Sequence, residues 1–200
     1  MKRFATVFAL ALVTLLSGCA GLRVVDSNVL AVANVPPGVQ LQGAHYRFER
    51  LPSQLSNPEA GLAEQQAQQA LTTVGLVRDD PGAQISVLVG FAGSQYVSDP
   101  WGRPYPSTWG SVSIGRGVPW GSGVGVGMGM RFPPPTQYRR EVSLIMRDLR
   151  SGQVVYETRA THDGIWSDSA QVFATLFQAA LANFPNPPAG PRRVNIQIPR

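Results

Sequence analysis

Hydrophobic and polar residues alternate along four stretches of the chain, and this period of two predicts β-strands. The stretches are residues 45–51, 85–91, 141–148 and 154–161, and in each one most apolar side chains share one face, although Leu88 falls on the other. The last two stretches are separated only by a turn at residues 150–153. We therefore predict that they form an antiparallel hairpin.

Two further stretches carry apolar residues every three or four positions, which predicts amphipathic helices. The first helix is expected to use Asn57 as its N-cap and Pro58 as its first residue, and it has a narrow, alanine-rich stripe. The second begins near Ser167 and Asp168 and carries larger apolar residues as far as Phe184. The predicted fold is α+β, with an antiparallel or mixed sheet of four to five strands and the two helices packed on one face.

The start of the chain has the composition of a secretory signal peptide, because a basic pair precedes an apolar run at residues 4–16. That run is too short to cross a bilayer as a mature helix. Residues 16–19, Leu-Ser-Gly-Cys, resemble the lipobox of bacterial lipoproteins. The resemblance implies removal of residues 1–18 and acylation of Cys19. The alternative is an ordinary signal peptide with an incidental cysteine.

Several acyl chains on Cys19 would anchor the protein stably to a membrane. Gram-negative lipoproteins that stay in the inner membrane typically carry Asp after the cysteine. Ala20 therefore implies the outer membrane, with the domain facing the periplasm. Residues 19–43 show no helical period, and we predict a flexible tether with a reach of about 25 Å. The alternative is that residues 29–35 pack as an edge strand.

A Gly-, Pro- and Trp-rich insert, residues 93–136, interrupts the strand pattern. Its aromatic residues are candidates for contact with a membrane, a glycan or an envelope protein: Trp101, Tyr105, Trp109 and Trp120. Within it, residues 121–130 alternate Gly with Val or Met, which would give a strand with one bare face. Self-assembly through that unpaired edge is one alternative, and a low-complexity loop is the other.

Charge and composition exclude several classes of function. The net charge of +5 is not concentrated in a basic cluster with interleaved aromatics, so we predict no nucleic-acid partner. Cys19 is the only cysteine, and once acylated it leaves no thiol for a disulfide, a nucleophile or a metal. His45 and His162 lack metal-ligand spacing. We therefore predict neither a metal nor a cofactor.

One group of residues combines acid, base and hydroxyl side chains: His162, Asp163, Ser167, Asp168 and Ser169. Such residues support hydrolysis only where the fold brings a nucleophile, a base and an orienting group together. Ser167 or Asp168 is also expected to cap the second helix, and Asp163-Gly164 is typical of a turn. A periplasmic hydrolase is therefore the alternative function, and the main expectation is non-catalytic.

Four segments together resemble the DUF4136 family of bacterial lipoproteins: residues 45–48, 83–89, 148–156 and 183–185. The resemblance covers residues 44–185. It implies a strand-helix-strand opening, a middle containing Gly and Trp, a hairpin and a final helix. The family has no defined function, so it assigns no catalytic or ligand residues to this chain. Residues 186–200 form a Pro-rich tail, in which alternating Val194, Ile196 and Ile198 raise a terminal edge strand as the alternative to a loop.

The sequence therefore predicts a lipoprotein that is anchored through Cys19 and faces the periplasm. We expect a non-catalytic binding or scaffolding role in the cell envelope, with an envelope protein or glycan as the candidate partner.

Overall fold

The computed structural model describes residues 21–97 and 136–199. In chain order the elements are β1 Leu22–Ala33, β2 His45–Glu49, α1 Pro52–Leu55, α2 Glu59–Thr73, β3 Val77–Arg78, β4 Ile85–Val97, β5 Thr136–Asp148, β6 Val154–Gly164, α3 Ser169–Ala180 and β7 Arg192–Pro199. Residues 98–135 and residues 1–20 lie outside the described residues. The predicted insert, residues 93–136, was drawn too wide, because residues 93–97 continue β4 and Thr136 begins β5.

All strands of the described chain belong to one mixed sheet, in the order β3-β2-β4-β5-β6-β1-β7. Strand β2 runs parallel to β3 and β4, and the other neighbours are antiparallel. The predicted α+β class with a single sheet is confirmed, and so is the hairpin of β5 and β6. The predicted strand number was wrong, because β1, β3 and β7 bring the sheet to seven strands. A third helix, α1, is only four residues long.

Strand β1 occupies most of the segment predicted as a tether. It pairs with β7 over Leu22–Val29 and with β6 over Asn28–Ala33, so it lies inside the sheet rather than at an edge. Every second side chain points into the core, starting from Val25. The alternation is hard to see in the sequence, because Asp26, Ser27 and Asn28 interrupt the apolar residues and the outward positions are also partly apolar.

Strand β7 follows the alternative that the tail suggested. Val194, Ile196 and Ile198 are partly buried against the core, and their polar neighbours face outward. The strand pairs only with β1 and forms one edge of the sheet. The chain therefore places its first and last described strands side by side.

The two longer helices contribute to the same hydrophobic core as the inward faces of the strands. Helix α2 begins one residue later than predicted, although the Asn57 side chain does accept a hydrogen bond from the Glu59 amide at 2.9 Å. Its alanine stripe is buried, as the pattern predicts. Glu64 on the same helix is also buried, and Arg50 binds both of its carboxylate oxygens at 2.5 and 2.7 Å.

Helix α3 supplies the larger apolar side chains, with Val172, Leu176 and Phe177 fully buried. It ends at Ala180, earlier than the predicted Phe184. The Phe184 ring nevertheless packs edge-on against Tyr156, with ring centroids 5.0 Å apart. The final apolar residue of the pattern therefore joins the core from the turn that follows the helix.

The position of β1 can be tested by stability measurements on two adjacent residues. Val29 is fully buried, whereas Leu30 is 47% exposed on the other face of the strand. We expect Val29→Ala to lower the free energy of unfolding by about 2 kcal/mol, because it removes buried methyl groups. Leu30→Ala should change it by less than about 0.5 kcal/mol. Urea unfolding of both variants checks this, and equal small effects would contradict an ordered β1.

Candidate functional site

The predicted catalytic residues are divided between the two faces of the sheet. His162 points toward the helices and is buried. Asp163 points to the opposite face, where its carboxylate accepts hydrogen bonds from Arg139 Nε at 2.9 Å and from the Tyr96 hydroxyl at 3.1 Å. Because consecutive strand residues face opposite sides, His162 and Asp163 cannot act on one substrate atom.

The hydroxyl and carboxylate groups at the start of α3 are engaged elsewhere. Asp168 occupies the N-cap position of the helix, but its carboxylate binds Arg23 instead of the helix amides. The Ser169 hydroxyl accepts hydrogen bonds from Arg140, and Ser167 is exposed. Within residues 21–97 and 136–199, no hydroxyl or carboxylate is hydrogen-bonded to the imidazole of His162. The residues do not form an acid-base-nucleophile set.

His162 instead has a place in the structure of the sheet. The pairing of β1 with β6 stops at Asn28 and Thr161, and just beyond that point the His162 Nδ1 atom lies 2.8 Å from the Asp26 carbonyl oxygen. Since a carbonyl only accepts, Nδ1 carries a proton and donates this hydrogen bond. An added Cβ at Gly164 would lie 2.6 Å from Nε2, so glycine is required where the ring packs against the backbone.

Three inward-facing polar residues lie in neighbouring strands next to this histidine, and we call them the polar row: Ser27, His162 and Arg140. Arg140 is the direct cross-strand partner of His162, and continuing the β1–β6 register by one residue places Ser27 on its other side. All three are buried. Each has one buried polar atom with no hydrogen-bond partner in the described part of the chain: Ser27 Oγ, His162 Nε2 and Arg140 Nη1.

Arg140 is the most unusual member of the polar row, because only 1% of it is exposed. Its Nη2 donates to the Trp166 carbonyl at 2.7 Å, and Nε and Nη2 lie 3.2 and 3.1 Å from Ser169 Oγ. All of these acceptors are neutral. Burial lowers the pKa of Arg140, but an arginine in a protein remains charged. The structure therefore buries a guanidinium without a hydrogen-bonded carboxylate.

The nearby carboxylate of Asp168 is already bound by another arginine. Arg23 donates to both of its oxygens and to Gln171, and the Arg23 guanidinium lies 5.2 Å from the centre of the Trp166 ring. The hydrogen bond from Arg23 is the main reason that the pKa of Asp168 is lowered. This arrangement joins β1 to the start of α3.

A cleft of about 540 Å³ lies against Arg140, beside the part of β4 that extends past β2. Phe91 and Phe173 form an aromatic wall, with their rings edge to face and centroids 6.4 Å apart. Arg140 and Ser169 supply polar groups from beneath the first turn of α3, and Tyr138 lies next to Arg140. Most of the remaining lining is polar, so the cleft joins one aromatic wall to a largely polar surface.

A second cleft, of about 610 Å³, lies at the other end of β4 and β5. It is lined by the β1–β2 loop near Gly38 and by the hairpin turn near Asp148 and Arg150. Asp148 is occupied there by both the amide and the hydroxyl of Ser151, at 2.9 and 2.6 Å. The Asp148 carboxylate in the second cleft is therefore less available to a ligand than the partnerless Arg140 Nη1 in the first.

Among the residues that the structure describes, no three His, Cys, Asp or Glu side chains are grouped as metal ligands. His45 lies at the surface, where its Nδ1 is 2.7 Å from an Asp79 carboxylate oxygen. No helix in the described ranges is long and apolar enough to span a membrane.

The ends of five strands meet at one side of the sheet, which we call the Leu22 end. Leu22 pairs with Pro199, Val97 pairs with Thr136, and β6 finishes there at Gly164. The aromatic candidates Trp101, Tyr105, Trp109 and Trp120, and Cys19, lie outside the described residues. The chain nevertheless leaves the sheet toward Trp101 at Val97 and returns at Thr136, so the predicted insert and the predicted anchor both connect at the Leu22 end.

Sequence reasoning missed Arg140, Ser27 and Arg23. A signal for Arg140 was available, because it holds the inward position two residues before buried Val142. A charged residue in phase with a buried stripe indicates either a partner or a ligand. For Arg23 there was no signal, since its contact with Asp168 joins residues 145 positions apart.

The Arg23–Asp168 contact predicts a pH dependence of stability. Because the folded state lowers the pKa of Asp168, its contribution is present above the unfolded pKa of about 3.9 and is lost as the pH falls through the folded pKa. Below pH 4 we expect Asp168→Asn to lose less stability on acidification than the native chain. Denaturant unfolding between pH 6 and 2.5 measures this. Arg23→Gln should reproduce the flatter profile, and unchanged slopes in both variants would contradict the assignment.

Comparison with known proteins gives one family and a few distant structures. The chain is similar to a PDZ domain protein from Parabacteroides distasonis, with 11% identity and a TM-score of 0.50, over 88% of this chain and 39% of that one. It thus spans well under half of that protein, and the likeness concerns the fold alone. Two structures of the PelC dodecamer from Paraburkholderia phytofirmans align at 11% and 12% identity, with TM-scores of 0.37 and 0.40. Each alignment covers 77% of this chain, and 95% and 96% of PelC.

The comparison with curated proteins gave no match. The profile described as "Domain of unknown function (DUF4136)" matches residues 39–186, which take in β2 to β6 and all three helices. The match covers most of the sequence and spans both sides of the predicted insert. The chain therefore belongs to the DUF4136 family.

Proposed function

We propose that this protein is an outer-membrane lipoprotein, acylated on Cys19, whose domain sits directly on the periplasmic surface of the membrane in a non-catalytic binding or scaffolding role. The observation that carries the proposal is the start of β1 at Leu22, three positions after Cys19. Three residues span at most about 11 Å. An acylated Cys19 would therefore hold the Leu22 end of the sheet close to the lipid headgroups.

The surface of the Leu22 end is consistent with such a position. Leu22 is 65% exposed, and Ile165, just after the end of β6, is 56% exposed. Val24 adds a third exposed apolar side chain on the same strand as Leu22. Leu22 and Val24 are alternate residues on the same face of β1, and neighbouring exposed apolar groups favour contact with a membrane or a partner. The aromatic insert also connects to the sheet at the Leu22 end, between Val97 and Thr136, which favours this end of the domain as the contact surface.

A non-catalytic role is supported by the separation of the candidate hydrolase residues. His162 and Asp163 face opposite sides of the sheet, and Asp168 and Ser169 bind arginines. We therefore expect the described surface to act by binding a partner. The aromatic insert is the first candidate for an envelope protein or glycan partner.

Acylation is tested by metabolic labelling with a clickable palmitate analogue. We expect label and membrane fractionation for the native chain, and neither for Cys19→Ser. In a density gradient the native chain should follow the outer membrane, whereas Ala20→Asp should move to the inner membrane. An unlabelled native chain would contradict the lipoprotein proposal, and a labelled chain in the inner membrane would contradict only the location.

The proposed orientation predicts which positions contact lipid. With a photo-crosslinking amino acid at Ile165, we expect adducts to phospholipid in intact cells, because this residue lies at the Leu22 end. The matched control is Arg150, which is exposed in the hairpin turn at the opposite end and should give few adducts. A Gly-Ser linker of about twenty residues inserted after Gly21 should lower the Ile165 signal. Equal labelling at both positions would contradict the orientation but leave acylation intact.

A further inference from the structure

The cleft between β4, β5 and the starts of α2 and α3 is lined by a buried guanidinium that no described carboxylate hydrogen-bonds. The charge of Asp168 acts on Arg140, but that carboxylate is itself bound by Arg23. Arg140 is buried, its hydrogen bonds go to neutral oxygens, and its Nη1 has no partner in residues 21–97 and 136–199. A buried charge with no paired counter-charge is costly, and natural proteins rarely keep one without a use. An anion placed against this guanidinium would satisfy the remaining donor.

The first turn of α3 adds to the positive potential at the same place. The helix is 12 residues long, and its first residue, Ser169, both lines the cleft and contacts Arg140. Unpaired amides at a helix N-terminus favour negative charge. Asp168 is the N-cap residue of this helix, but its carboxylate binds Arg23. It therefore accepts no hydrogen bond from the amides of the first turn.

The rest of the cleft limits the kind of anion. The edge-to-face pair of Phe91 and Phe173 offers an apolar wall suited to a hydrocarbon or an aromatic ring. Glu59 also lines the cleft, so a second negative charge on the ligand would meet repulsion. The Asn57 side-chain oxygen accepts the hydrogen bond of the Glu59 amide, which leaves the NH2 group as the donor of that side chain.

We propose that this cleft binds a singly charged organic anion, whose carboxylate or phosphodiester group lies against Arg140 and Ser169 and whose apolar part packs on Phe91 and Phe173. The site is independent of acylation at Cys19, since its residues lie on β4, β5, α3 and the start of α2. The two headgroups share one recognition chemistry, in which oxyanion oxygens accept hydrogen bonds from a guanidinium and a hydroxyl.

The probes are phenylacetate, methyl phenyl phosphate and the neutral analogue phenylacetamide, titrated by calorimetry into the purified full-length chain. We expect at least one anion to bind saturably at submillimolar to millimolar concentration, and phenylacetamide to bind at least about tenfold more weakly, because it lacks the charge. Whichever anion binds more tightly identifies the headgroup class. Failure of both anions to bind the native chain would overturn the proposal.

Two arginine variants provide the matched comparison. Arg140→Met should weaken anion binding at least about tenfold. Arg159→Met should leave it within about twofold, because Arg159 does not line the cleft and pairs with Glu141 on the exposed face of the sheet. Equal binding by both variants would overturn the proposal.

A measurement on the native chain covers the case in which Arg140→Met does not fold. The Arg140 Nε–H resonance should shift on addition of the bound anion and not on addition of phenylacetamide. A resonance that does not respond to saturating anion would count against the site, whatever the behaviour of the variant.

Discussion

The insertion of β1 between β6 and β7 determines how the whole domain is held together. Without β1, strand β7 would have no partner in the described sheet, and β6 would be an edge. Helix α3 also depends on this strand, because Arg23 of β1 binds Asp168 at the start of the helix. At the other end of the helix, Thr158 of the neighbouring strand β6 donates to the Ala180 carbonyl. A segment close to the N-terminus thereby fixes the position of elements near the C-terminus.

The same strand brings a polar residue into a position that ordinary packing would fill with an apolar one. Ser27, His162 and Arg140 form a row across three strands, on the face that otherwise carries valine and leucine. Replacing a buried ion by an apolar residue of similar volume is often neutral or stabilising. Stability alone therefore gives no reason for Arg140, and the cleft beside it gives a chemical one.

The spacing of apolar residues within each segment explains which parts of this fold were predictable from the sequence. The strands that became β2, β4, β5 and β6, and both longer helices, show a clear alternation or a three-to-four spacing. Strand β1 was not evident, because Asp26, Ser27 and Asn28 break the apolar pattern. Strand β3 has only two residues and depends on a backbone bond from Val77 to the Ala44 carbonyl, which no local pattern encodes.

The candidate site was less predictable than the fold, for a physical reason. The sequence groups His162 with Asp163, but a strand sends neighbours to opposite faces. The residues that do meet at the cleft come from β4, β5, α3 and the start of α2, which are far apart in the sequence. The sequence shows only that Arg140 holds an inward-facing position of its strand. It does not show that Ser169 and Phe173 of α3 line the same cleft.

The pairing of Leu22 with Pro199 has a practical consequence for experiments on this protein. The two ends of the described chain emerge side by side, so a fluorescent reporter or affinity tag fused after β7 would lie next to the proposed attachment point at Cys19 and compete for the same space. The β1–β2 loop near Gly38, at the far end of the sheet, has open space around its backbone. An internal tag placed in this loop would project away from the attachment point and leave both terminal strands undisturbed.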